Sequence, residues 1–128
     1  MTGFIDIHGH AYRQVGAPNP RLDNNSQWFM TRDQVEERHR ELGIERGVLL
    51  PLVNAEVYLP QSNEDILDMA AETQGHFIPF CNIDPRVATN DASARIDRLL
   101  CYYRDRGCKG VGEVIPNLRF LDPSSLSG

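Results

Sequence analysis

The run FIDIHGH, Phe4 to His10, alternates apolar residues with one acid and two imidazoles. Residues two apart in an extended strand share a face, so Asp6, His8 and His10 are expected to aim at one side. Such a face is costly to bury without partners, and two neutral imidazoles converging on one point suit a divalent metal ion. Asp6 is expected deeper along the strand, either supporting a ligand from behind or fixing a histidine tautomer. The plainer alternative is a pair of satisfied histidines at a strand end, one of them bonded to Asp6. KGVGEV carries a second candidate. Alternation puts Lys109, Val111 and Glu113 on one face and leaves Gly110 and Gly112 on the other, where a helix backbone can approach closely. An inward Glu113 would reach the region of the histidines as a ligand, a bridge between two metals or a substrate contact. Its alternative is a salt bridge to Arg86 or Arg119.

The elements that position these residues emerge from the glycines. Gly43, Gly75 and Gly107 recur at a spacing of 32 residues, each after an amphipathic pattern and before an apolar run. Thr31-Arg32-Asp33-Gln34 has the form of a capping box opening a helix to about Leu42, and the apolar run GVLLPLV follows from Gly47. Ser62 is the expected N-cap of NEDILDMAAETQ, after which HFIPFCNI reads as a buried strand. Asn90 or Asp91 is expected to open a third helix, carrying Ile96, Leu99, Leu100 and Tyr103, before CKGVGEV.

Four short apolar strands joined by three helical crossovers predict a parallel α/β sheet. An open doubly wound sheet and part of a TIM (β/α)8 barrel both fit that pattern. Eight such units would total roughly 256 residues, close to the ~250 typical of a complete barrel, so the 128-residue chain is read as one domain, the N-terminal half of such a barrel. NLRFLDPSSLSG ends where Asp122 or Ser124 would start a fourth helix, which points the same way. Catalytic groups of α/β barrels come from the C-terminal ends of the strands. On that rule His8, His10, Asn54, Asn82, Asp84 and Glu113 fall on the active rim. His76 falls on the opposite rim as a structural residue, and His39, among Glu36, Glu37, Arg38 and Arg40, on a solvated helix face.

The first connection, from about Gly9 to Met30, exceeds the ~2 to 6 residues usual for such loops. Its Tyr12, Arg13, Arg21, Trp28 and Phe29 suit a lid over an anionic or aromatic substrate, or else a surface loop packed by Trp28. Arg13, Trp28, Asp84 and Arg86 are the candidate substrate-binding residues. The formal net charge of -5, with mixed signs along the helical stretches, disfavours nucleic acid as a partner. No apolar run approaches the ~18 residues of a membrane span, and the start lacks signal-peptide features, so a cytoplasmic location is expected. Three cysteines without CxxC spacing indicate neither a disulfide framework nor a Cys-based zinc site.

IDIHGH at the first strand, NIDPR after the third and KGVGEVIPNLRFLDP at the fourth resemble the amidohydrolase superfamily, specifically its amidohydrolase-related group of metal-dependent hydrolases and decarboxylases. The resemblance spans essentially the whole chain. It implies a (β/α)8 barrel with a divalent metal, often zinc, held in part by His8 and His10 and activating water for attack on a carbonyl or related centre. The superfamily's further ligands, histidines on the fifth and sixth strands and an aspartate on the eighth, have no counterpart here. The chain alone is therefore expected to bind metal weakly or to be inactive. Three readings follow: part of a hydrolase acting on a C–N or C–O bond of a small molecule, part of a metal-dependent decarboxylase, or an inactive half-barrel that serves assembly as a homo-oligomer or with a missing C-terminal half. The phosphate-binding loops of nucleotide-binding sheets are missing.

Overall fold

The computed structural model describes residues 3–15, 29–53, 59–84 and 93–114. Within them the order is β1 (Phe4–Gly9), α1 (Arg32–Leu42), β2 (Ile44–Leu49), α2 (Asn63–Ala71), β3 (Phe77–Cys81), α3 (Ile96–Asp105) and β4 (Gly110–Val111). All three strand pairs are parallel and the spatial order is β1-β2-β3-β4. A doubly wound sheet reverses its strand order at a switch point. An unreversed order instead carries each crossover one strand further in the same sense, which is the winding of a barrel. The sheet also curls. Four flat strands would hold β1 and β4 about 14 Å apart, yet side chains from β1 and from the end of β4 meet at 3.4 and 3.5 Å. The fold is a partial α/β barrel.

The caps explain where the helices start. At Thr31 both halves of the capping box are present: the hydroxyl accepts from Gln34 N–H at 3.4 Å, and Gln34 Oε1 accepts from Thr31 N–H at 2.9 Å. Gly43, at φ 70°, closes α1 in the left-handed region that favours glycine. Removing the Thr31 hydroxyl by Thr31→Ala is expected to cost about 1 kcal/mol in denaturant unfolding. Ser62 caps α2 through Asp65 N–H, as its position predicts. Two boundaries differ from the sequence reading. α2 stops at Ala71, and Gly75 ends the turn beyond it, because the Thr73 hydroxyl and N–H both bond to Ala70 O and terminate the helix early. α3 begins at Ile96 without a side-chain cap, while Asn90 and Asp91 lie outside the described residues.

The core lies between the sheet and the helices. Leu49 and Phe77 from the strands meet Val35 of α1, Ile66, Met69 and Ala70 of α2, and Ala11. β1 instead leaves Phe4 and Ile7 72% and 76% exposed, and Val111 and Val114 are exposed at the β4 side. The cysteines divide as well: Cys81 and Cys108 are buried and Cys101 is exposed. Burial pushes the Cys81 thiol up and the Cys108 thiol up to about 12, so neither offers thiolate near neutral pH. Iodoacetamide at pH 8 is expected to modify Cys101 alone in the folded protein, with Cys81 and Cys108 reacting only in denaturant, as read by mass spectrometry. Among the described residues no helix is long and apolar enough to cross a membrane.

Candidate metal centre

A register shift in β1 decides which side chains reach the site. Asp6 pairs with Gly47 and Gly9 with Leu49, so three steps along β1 match two along β2. The extra residue is a bulge, and it reverses the alternation beyond it. Asp6 therefore lies on the helix side with Gly47 and Phe77, whereas His8 and His10 lie on the opposite, inner side. The expectation that all three share a face is corrected here.

His8 Nε2 is 3.5 Å and His10 Nε2 3.4 Å from the same oxygen, Glu113 Oε2. The three donor atoms lie within 4.8 Å of one another, the one such group among the described residues. His10 is fixed from behind, because its Nδ1 is 2.9 Å from Leu50 O. A carbonyl oxygen only accepts, so Nδ1 carries a proton, and in the neutral ring this leaves the Nε2 lone pair turned toward Glu113. Two acceptors facing each other across 3.4 Å call for a cation between them, either a proton or a metal ion. The spacing suits a metal: ligand atoms at ~2.0 to 2.2 Å from a tetrahedral zinc stand about 3.3 to 3.6 Å apart. Two imidazoles and a carboxylate are also the donor set of a catalytic zinc with an open position. These residues fit a divalent ion.

Asp6 takes part indirectly. Its Oδ1 accepts from His8 N–H at 3.0 Å and its Oδ2 lies 3.2 Å from His39 Nε2. His39 Nδ1 in turn lies 3.1 Å from His76 Nε2. His39 is 4% exposed, not a surface residue as its charged neighbours suggested. It lies one helical turn from buried Val35 on the packed face of α1, and Gly47 leaves room for its ring: a Cβ there would sit 2.4 Å from His39 Cε1. His76, expected to be structural, completes this chain between sheet and helix. Gly110 and Gly112 do not face a helix backbone. A Cβ on Gly110 would strike the Phe80 ring at 2.5 Å, and one on Gly112 would touch Leu50 and Phe80.

The other predicted site residues separate. Arg13 is engaged at the end of α2, with Nη1 2.9 Å from Oε1 of Glu72, the C-cap, and Nη2 3.7 Å from Asp68. Asp84 is buried beyond β3, outside the three-donor cluster. Trp28, Arg86, Asn54, Arg21 and Arg119 lie outside the described residues. The two ends of the long first connection are stitched together by Tyr12 N–H to Met30 O at 3.0 Å and Arg32 N–H to Tyr12 O at 2.8 Å. This brings the Phe29 ring against Tyr12 and, at 6.2 Å between centroids, His10. Phe29 thus gives the imidazole an apolar neighbour. Asn82 is a further contributor that pattern reading placed only on the rim: its side chain donates to Glu113 O.

Fold and site together define a partial (β/α)8 barrel with an imidazole and carboxylate cluster at the C-terminal ends of its first and fourth strands. A solved structure, that of a probable 2-pyrone-4,6-dicarboxylic acid hydrolase from Acinetobacter baumannii with citric acid bound, superposes with a TM-score of 0.57 and 14% identity, over 97% of this chain and 43% of that one. At that identity the likeness is one of fold. The chain spans 43% of the length of that neighbour. No protein-family model and no curated protein matches the sequence.

Proposed function

We propose that this chain is the N-terminal part of an amidohydrolase-like hydrolase barrel that uses a divalent ion, zinc foremost, on a small carboxylate-bearing lactone, ester or amide. The observation that carries the reading is the meeting of His8, His10 and Glu113 with the His10 tautomer fixed by Leu50. The fold neighbour, described as a hydrolase of a dicarboxylic acid and holding citrate, supports a polyanionic small-molecule substrate. A bound divalent ion supplies Lewis-acid polarisation of a carbonyl and acidifies water. His10 presents Nε2 and keeps its proton on Nδ1. Glu113, whose Oε2 lies 3.5 and 3.4 Å from the two imidazole nitrogens, supplies the carboxylate of the donor set. Phe29 lies edge-on to His10 and gives its ring an apolar neighbour.

The reading is tested by turnover on carboxylate-bearing lactones, esters and amides, following both acid release and CO2, with a Zn2+-loaded complete barrel that carries this chain and with the same barrel bearing His10→Ala. Hydrolysis without CO2 that His10→Ala abolishes supports it. Release of CO2, or hydrolysis that survives the substitution, contradicts it.

A further inference from the structure

We infer that Asn82 is a positioning residue for Glu113 and that Asn63 locks it in place. The functional meaning of this inference rests on the metal reading above. Asn63 opens α2 directly after its Ser62 cap, and Asn82 follows the last residue of β3; they are 4% and 5% exposed. The Asn63 side chain grips the Asn82 backbone from both sides: Oδ1 accepts from Asn82 N–H at 2.8 Å, and Nδ2 donates to Asn82 O at 2.9 Å. With its backbone held twice, Asn82 projects its amide in one direction, and Nδ2 donates to Glu113 O. The last ladder bond from β4 to β3 runs from Gly112 N–H to Cys81 O at 2.9 Å. The Asn82 side chain extends that connection one residue further along both strands.

The extension falls where it matters for the site. Glu113 bears the carboxylate that faces both imidazoles, and its own carbonyl is one bond from the Cα from which that side chain springs. Holding the carbonyl fixes the position of the Cα and the direction of the Cα–Cβ bond from which the carboxylate is carried toward the imidazoles. Because both asparagines are buried, breaking one bond strands a polar group away from water, which keeps the clamp closed. The start of α2 is thereby coupled through the end of β3 to a donor at the end of β4. Outer partners of this kind typically change metal affinity by about 10 to 100-fold.

The test is a double-mutant cycle on Co2+ affinity, measured by calorimetry on the full chain. Asn82→Asp keeps the volume and the backbone clamp but replaces the donor facing Glu113 O with an acceptor. It is expected to weaken Co2+ binding by about 10 to 100-fold. In a Glu113→Ala background the same substitution is expected to have no further effect, since the residue it positions is gone. A structural role would instead weaken binding equally in both backgrounds. Asn63→Asp, which keeps the acceptor for Asn82 N–H and places an acid in a first helical turn, gives a second variant, expected to lower affinity by less than Asn82→Asp. Wild-type affinity in Asn82→Asp, or additive losses in the cycle, would overturn the inference. If the wild-type chain binds no Co2+, the metal reading fails by itself. Crystal structures of wild type and Asn82→Asp then decide: a Glu113 carboxylate displaced from the imidazoles in the variant upholds the clamp, and an unmoved one overturns it.

Discussion

On the proposed metal centre, His10→Ala is expected to lower the affinity for Zn2+ or Co2+ by more than the ~10 to 100-fold that loss of an outer partner costs, because it removes a donor whose lone pair is already aimed. Three features make this the strongest of the substitutions at the site. The ring of His10 is the less exposed of the two imidazoles, at 17% against 56% for His8. Its Nδ1 is held by Leu50 O, so no tautomer exchange is needed on binding. It also lies edge-on to the Phe29 ring at 6.2 Å between centroids, an apolar neighbour that no ring contact among the described residues gives His8. His10→Asn, which keeps a polar group but not the imidazole lone pair, is expected to behave like His10→Ala. Calorimetric titration of both variants checks the expectation, with retention of wild-type affinity in either one counting against the site.

Gly47→Ala is expected to destabilise the fold by about 2 to 4 kcal/mol, the sum of overpacking and a disturbed buried hydrogen bond. The new Cβ would sit 2.4 Å from His39 Cε1. That ring cannot simply turn away, since Asp6 holds Nε2 and His76 lies against Nδ1. Moving it also releases Asp6, which holds the backbone N–H of His8. The diagnostic is again a cycle. In a His39→Ala background the methyl has room, and the cost of Gly47→Ala is expected to fall below about 1 kcal/mol in urea unfolding. Equal costs in the two backgrounds would show that His39 is not what Gly47 makes space for.

Much of this arrangement was legible in the residues. The 32-residue recurrence of helix-ending glycines and apolar runs predicts parallel strands joined by helices. The capping box at Thr31 and the cap at Ser62 locate two helix starts. His8, His10 and Glu113 were legible as one region because all three fall at strand ends on the same rim. What was not legible depends on partners distant in sequence. The bulge that turns Asp6 away from the histidines is a matter of register against β2, which strict alternation does not contain. His39 reads as a surface residue when only its charged neighbours are weighed. Two signals pointed inward: its position one turn after Val35, and a glycine, Gly47, at the head of the apolar run GVLLPLV. The Asn63 and Asn82 clamp joins residues 19 apart, and its link to Glu113 spans 31, so no local pattern announces it. The arginines of the first loop suggest anion binding; Arg13 is paired with Asp68 of α2 and its C-cap Glu72, partners 55 and 59 residues away that the loop's own sequence does not announce.

Elemental analysis of the purified chain beside its His8→Ala/His10→Ala variant tests the central claim most directly. Two histidines alone point to weak binding, but Glu113 completes a three-donor set, so the account predicts zinc, manganese or iron retained in the wild-type chain and background in the variant. Background metal in both, or equal metal in both, would contradict a metal centre built on His8, His10 and Glu113.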